Sequence, residues 1–471
     1  MNKNITDISI FNLPDPIKAL SYAIIFTITL SSVALLNGFP LVFSDSGTYL
    51  LFSVKGGAPL DRPVFYSWII AIFSLNTKLP SFSIVASQAL MTSIVLLITL
   101  SCLKFNKLKL LLILIIFLTI STSLPWFVGQ IMPDFFLGIG LLSAYTLIYH
   151  YDSLNNSKRI YLYAIFFSTG LVHYSNAPIL LSTLFLFLIL KTIYKTDDES
   201  IHKSAVRHTA ILILLTLTTL TTNHFYTKYH SHESPTAHFL MNRLTDDGII
   251  QKLLNEHCAN EDYILCPYKD NVKGSYLWSG KSSPFRLIGG FQSPTEESWE
   301  MILDSLQHYP LDNFLSATNV TMKQLFNFHT GDGLKAYNQN MAINNIIKSL
   351  YTSEYIDFTS SKQQQGVLIE LLSFIKPIHI IVVGISALIL LVSLIYRKYL
   401  SHSTIFLVIF ILLALICNAA ICGIFSGAYD RYQSRIIWLV PFVAAILFLQ
   451  VYDTHASVKG SITNKSSNTK K

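Results

Sequence analysis

Apolar residues in this chain gather into blocks, separated by short polar islands that hold most of its charge. Most blocks run for roughly 17 to 25 residues, enough for a helix to cross a ~30 Å hydrocarbon layer. A soluble multidomain chain would carry charges inside such blocks, and here they are nearly free of them. The pattern predicts an all-α integral membrane protein, a polytopic bundle of about ten transmembrane helices.

Short loops rich in Lys and Arg stay in the cytoplasm, and they fix the orientation of each helix. The first five spans are predicted at about 19–43, 80–103, 109–125, 131–150 and 160–174. The last five follow at about 177–194, 208–225, 370–396, 403–425 and 436–452. Lys104, Lys107, Lys109, Lys158, Arg159, Lys191, Arg207, Arg397 and Lys398 then fall inside, with both termini. The opening segment reads as a membrane helix and not as a cleaved signal peptide, because it is too long for a signal core. The stretch from Arg62 to Asn76 is apolar but short, and counting it as a span would put the lysines from Lys104 onward outside. It is expected to be an interfacial or re-entrant helix in the first outer loop.

Four regions follow. Residues 1–225 form a first transmembrane module, and 226–365 form a mainly helical extracytoplasmic domain. Residues 366–453 hold the last three spans, and 454–471 read as a disordered cytoplasmic tail. Composition sharpens this picture. The chain is 51% hydrophobic and 13% charged, against about 25% charged for soluble domains. Its net charge of +7 hides an asymmetry, since 226–365 carries 11 basic and 15 acidic residues. The excess base lies in short loops and tails, which suits the cytoplasmic face of a bacterial inner membrane and no nucleic-acid partner. Cys258 and Cys266, eight residues apart on the predicted outer side, are read as a disulfide, with two free thiols as the alternative.

The threading gathers the unusual polar residues at one membrane surface. Asp45 follows the first span, Asp61 and Arg62 open the interfacial helix, and Asp134 follows Pro133. His173 ends the fifth span, and Asp430, Arg431 and Arg435 lie in the loop before the tenth. Ionisable residues beside hydrocarbon are costly, so they mark function or pairing. Each also has a plainer reading. Asp45 suits a turn, Asp134 suits a helix N-terminus, and His173 suits a packing residue. Two arginines four apart in an outer loop run against the charge rule, and a phosphate is a natural partner for them. No P-loop, zinc-ligand spacing, nucleophile elbow or dinucleotide fingerprint is present. An enzyme working outside the cytoplasm lacks ATP and nucleotide sugars, so an activated substrate must reach it on a lipid.

These residues resemble a known family. The segment Phe43 to Tyr49 around Asp45, the Arg62-Pro63-x-x-Tyr66 stretch, Asp134 and the Arg431-Tyr432 pair look like the GT-C superfamily of membrane glycosyltransferases. The protein mannosyltransferases and aminoarabinose transferases belong to that superfamily. The stretch from Ala428 to Arg435, with the Cys258/Cys266 segment, also resembles a group of bacterial membrane proteins. The chain departs from the pattern in carrying one acid, not two, in the first loop, and in placing its soluble region before the last spans.

The resemblance implies a polyprenyl-phosphate-linked sugar as donor and a glycan, lipid or protein acceptor. It implies Asp45 as the catalytic acid/base. Substrate contacts would come from Arg62, Tyr66, Asp134, His173, Arg431 and Arg435, and a divalent metal could sit between Asp45 and Asp134. The alternatives are a lipid-linked-glycan transporter or polymerase, and a non-catalytic membrane scaffold.

Overall fold

The computed structural model describes residues 16–105, 107–193, 199–231, 235–272, 277 and 283–450. The tail beyond them lies outside the described residues. Among the described residues the chain is helical, and the only strand-like feature is one isolated parallel bridge between Leu41 and Gln130. The first part holds α1 (Pro16–Leu30), α2 (Ser32–Asn37), α3 (Ser46–Lys55), α4 (Phe65–Phe73) and α5 (Phe82–Cys102). Then come α6 (Leu108–Ser121), α7 (Leu124–Val128), α8 (Phe135–Tyr149), α9 (Asn156–Val172), α10 (Asn176–Ile193) and α11 (Glu199–Ser231). The polar region holds α12 (Thr236–Asp246), α13 (Ile249–His257), α14 (Pro284–Leu287), α15 (Thr295–His308), α16 (Pro310–Phe326), α17 (Ala342–Leu350) and α18 (Tyr355–Ser360). The chain ends with α19 (Val367–Ile395), α20 (His402–Phe425) and α21 (Asp430–Ile437), with further helix to Gln450.

Among the described residues, six helices are long and apolar enough to cross a membrane: Phe82–Cys102, Asn176–Ile193, His202–His230, Val367–Ile395, His402–Phe425 and Asp430–Gln450. Lys18–Leu30, Leu108–Ser121 and Phe135–Tyr149 are apolar but shorter. The first apolar block, 19–43, is interrupted. Gly38 adopts φ 86° and caps α2, its N–H reaching the carbonyls of Ala34 and Leu35, and Pro40 follows. Hydropathy alone reads through that stop. The predicted loops at 44–49 and 426–435 are helical from Ser46 and from Asp430. At nine residues α4 is too short to span, and it packs among α3, α5 and α9.

The region predicted as one outer domain, 226–365, divides in two. The helix α11 runs on to Ser231, and residues 237–309 then close their own small core around Met241, Ile250, Leu253 and Ile302. Cys258 and Cys266 are disulfide-bonded in that unit. The second half packs on the bundle instead. The helix α17 lies across α3 so closely that a Cβ on Gly47 would meet the Ile343 backbone at 3.1 Å. The helix α16 crosses the end of α20, with the Val320 carbonyl 3.0 Å from where a Gly423 Cβ would be.

Small residues set the remaining spacings. Gly138 makes room for the Trp438 ring, and a Cβ on Gly140 would overlap the Thr169 side chain of α9. Gly140→Ala is therefore expected to cost about 1–3 kcal/mol by overpacking. Thr169→Ala in the same chain should recover part of that loss. Thermal unfolding of the four purified variants in detergent checks it.

Candidate functional site

The site begins with two loops held side by side. The Leu41 N–H donates to the Gly129 carbonyl at 2.9 Å, and the Ile131 N–H donates to the Leu41 carbonyl at 2.9 Å. Ser46 adds a third tie, its hydroxyl donating to the Ile131 carbonyl at 2.7 Å while accepting from the Phe43 N–H. Ser46 thus makes the turn that leads into α3. Asp45 occupies the N-cap position of α3, yet its carboxylate makes no capping bond. Asp134 holds the same position on α8, and its carboxylate also caps nothing. The plainer readings of both residues, turn and cap, therefore leave their carboxylates without an account.

Guanidiniums provide it. Arg62 Nη1 lies 3.0 Å from Asp45 Oδ2, and Arg62 also pairs with its neighbour Asp61. Arg431 and Arg435 sit one turn apart on a single helix face of α21, which directs both toward α8. Arg431 reaches Asp45 at 3.6 Å and Asp134 at 4.0 Å. Arg435 reaches Asp134 at 3.3 Å, and both of those side chains are completely enclosed. Arg435 also donates to Ser175 Oγ and Asn418 Oδ1, each at 3.0 Å. Aromatic faces complete the cradle: Arg431 lies 4.3 Å from the Phe43 ring centre, and Arg62 5.4 Å from that of Tyr49.

Sequence reasoning did not find the rest of the wall. The loop between α16 and α17 lies over the site. Asp332 accepts from the Arg431 N–H at 3.2 Å, and His329 Nδ1 lies 2.8 Å from Asp430 Oδ1. Gly333, at φ 72°, lies against the Phe43 ring with no room for a Cβ. Gln363 clamps Val42 from both sides, accepting from its N–H at 3.0 Å and donating to its carbonyl at 2.7 Å. Gln324 does the same for Tyr429, just before the arginines. The only signal for these residues in the sequence is the Gly331-Asp332-Gly333 turn.

The arrangement distinguishes surface from support. Asp45 is 27% exposed and Arg62 12%, so they line the open side with Arg431 at 10%. Tyr66 and Arg435, anticipated on the substrate, are wholly enclosed. Tyr66 donates to Gln88 Oε1 and packs edge-on against Tyr49, which it positions beneath Arg62. His173 Nδ1 accepts from the Ser175 N–H at 3.2 Å and faces the Ser175 hydroxyl at 2.9 Å. Burial alone would raise the Asp45 carboxyl, but Arg62 and Arg431 outweigh it and hold it below the ordinary carboxylate value.

No family model, no curated protein and no solved structure matches the chain. The site must therefore be read from its own geometry. In ion pairs, three carboxylates (Asp45, Asp61, Asp134) face three guanidiniums (Arg62, Arg431, Arg435), and Asp332 adds a fourth carboxylate at the Arg431 N–H. Among the described residues no group of three or more His, Cys, Asp or Glu gathers to hold a metal. Asp45 and Asp134, weighed above as a metal pair, each face guanidiniums instead.

Asp134→Asn would leave Arg435 buried with its charge uncompensated, and is expected to cost roughly 3–5 kcal/mol. The paired replacement Asp134→Leu with Arg435→Met should restore most of it, which thermal unfolding in detergent checks. For Asp45 the native value is depressed. Its stabilisation is thus present above the unfolded value of about 3.9 and lost as pH falls through the native one. The gap in unfolding midpoint between wild type and Asp45→Asn should be constant above about pH 5 and shrink below about pH 4.

Proposed function

We propose that this chain is a multi-pass membrane glycosyltransferase that moves a sugar from a polyprenyl-phosphate donor to a hydroxyl of a lipid, glycan or protein acceptor. One observation carries the reading. Two aspartates spared from capping and three arginines, drawn from four distant chain segments, converge at one end of an apolar bundle.

In this reading the donor phosphate takes the fork positions of Arg62 and Arg431 that Asp45 occupies without it. Released from both guanidiniums, the Asp45 carboxylate rises toward its ordinary basicity and turns to the acceptor. The acceptor oxygen then attacks the anomeric carbon, and its proton passes to Asp45. The bond from carbon to phosphate oxygen breaks, and its electron pair stays on the polyprenyl phosphate, held by Arg62 and Arg431. Attack opposite the leaving group inverts the anomeric carbon. Asp134 and Arg435 position Arg431 without touching substrate.

The remaining parts of the reading are about ten spans, both termini in the cytoplasm, the site on the outer face of a bacterial inner membrane, and residues 226–365 outside. The pairing of each of these guanidiniums with a carboxylate favours a second reading, a non-catalytic scaffold whose cluster only ties helices together.

Asp45→Asn separates the two. Transfer of labelled sugar from lipid-linked donor in membranes should fall by about 10²–10⁴-fold in a variant that still purifies as folded protein. Undiminished transfer in that folded variant sinks the mechanism and leaves the scaffold. Sidedness is read separately, from single cysteines at positions 45 and 431. Both should react with a membrane-impermeant reagent from outside intact cells, and protection of either one breaks the proposed orientation.

A further inference from the structure

The helices α9 and α11 run side by side, and at their far ends they touch. A Cβ on Gly170 would overlap the Thr219 side chain, and Asn223 donates to the Gly170 carbonyl at 3.1 Å. Nearer their starts, a groove of about 540 Å³ lies between them, lined by Tyr163, Phe167, Ile211, Leu214, Leu215 and Thr218. That volume falls in the range of ligand pockets. Leu214 is 64% exposed, so the groove opens onto the apolar outside of the bundle. A groove there, surrounded by hydrocarbon, is filled by an acyl chain and not by water.

One end of this groove is cationic. Arg159 lies one turn before Tyr163 and Arg207 one turn before Ile211, so both stand on the helix turns that adjoin the groove, with Arg159 Nη1 also 3.4 Å from Asn156 Oδ1. Tyr151 organises them. Its ring lies 4.0 Å from the Arg159 guanidinium and stacks on His208 at 3.9 Å, and its carbonyl accepts from Arg159 Nε and Nη2. Arg207 Nη2 meets His208 Nε2 at 3.3 Å. His208 is 3% exposed, and its Nδ1 is buried without a hydrogen-bond partner. Among the described residues neither arginine takes part in an ion pair. Asp152, on the neighbouring turn, is exposed.

We propose that this is a binding site for an anionic phospholipid, with one acyl chain in the groove and the headgroup phosphate on Arg159 and Arg207. A phosphate matches the guanidinium fork, and basic residues at the end of a lipid-facing groove select anionic headgroups. The site is separate from the Asp45 cluster. Arg159 precedes His173 by 14 residues, about 21 Å along α9. The proposal does not depend on sugar transfer.

The test uses the full-length protein in detergent with phosphatidylglycerol, phosphatidylcholine of the same chains, and inorganic phosphate, read by native mass spectrometry and thermal unfolding. Wild type should retain phosphatidylglycerol in preference to phosphatidylcholine and gain unfolding midpoint from it, and phosphate alone should do neither. Arg159→Gln with Arg207→Gln should bind phosphatidylglycerol about tenfold more weakly and lose the preference. Arg207→Gln alone, on an exposed side chain, keeps the test valid if the double variant does not fold. Leu214→Trp should fill the groove and lower retention of both lipids. Equal retention of the two lipids by wild type, stabilisation by inorganic phosphate equal to that by phosphatidylglycerol, or wild-type binding in folded variants would each overturn the proposal.

Discussion

The enclosed pair of Asp134 and Arg435 is the constraint around which this end of the bundle is built. Neither side chain reaches solvent, and an ion moved out of water costs several kcal/mol even after the protein relaxes. That cost is tolerable only if the donors and acceptors around the pair are met. Arg435 meets most of them with Asp134 at the start of α8, Ser175 before α10, and Asn418 of α20, while its Nε and Asp134 Oδ2 are buried without a hydrogen-bond partner among the described residues. Its carbonyl accepts from the Trp438 indole, whose ring fits only because Gly138 has no side chain. Four elements are thereby brought to one point, and none of them can slide along its axis without stranding a charge.

The pair also explains why Arg431 is free to serve the open side. Arg435 takes the deep position against Asp134, and Arg431, one turn earlier, lies between Asp134 and Asp45 with the Phe43 ring beneath it. Its backbone N–H is held by Asp332 and its neighbour Tyr429 by Gln324, so the start of α21 is tied to segments about a hundred residues away in sequence. On the other side, Gln363 fixes Val42 two residues before the polar turn that carries Asp45. The guanidiniums and carboxylates are therefore held in place largely by amides, with the Asp332 carboxylate beside them. Amides can satisfy backbone groups without adding a further charge to the apolar end of the bundle.

The charged half of this site is legible in the sequence, because Asp45, Arg62, Asp134, Arg431 and Arg435 stand out against the apolar blocks they interrupt. The supporting half is not. Gln324, Asp332 and Gln363 sit in a polar region where one more polar residue carries no contrast, and their partners lie 99 to 321 residues away. Helix class was legible and helix limits were not. The apolar run through 19–43 hides a stop that Gly38 and Pro40 state in plain backbone chemistry. The polar look of 426–435 likewise hides a helix whose arginines are buried by pairing. The division of 226–365 could not be read either. The apolar face of α17 serves the bundle, and those of α12 and α13 serve a local core, yet all three are short amphipathic helices.

Charge balance decides what the open side can do. On the proposed reading, a phosphate arriving at Arg62 and Arg431 adds negative charge to guanidiniums that carboxylates already pair, and one of those anions must give way. Asp134 cannot, because it is enclosed and Arg435 depends on it. Asp61 adjoins Arg62 in sequence and stays paired with it. Asp45 is the most exposed of the cluster's carboxylates, is held by its guanidiniums at 3.0 and 3.6 Å, and caps no helix, so its displacement costs the fold least. A ligand that binds by displacing a carboxylate leaves that carboxylate beside it with its basicity restored. The same geometry that makes Asp45 a weak base in the ligand-free protein thus ties its activation to the arrival of an anionic partner.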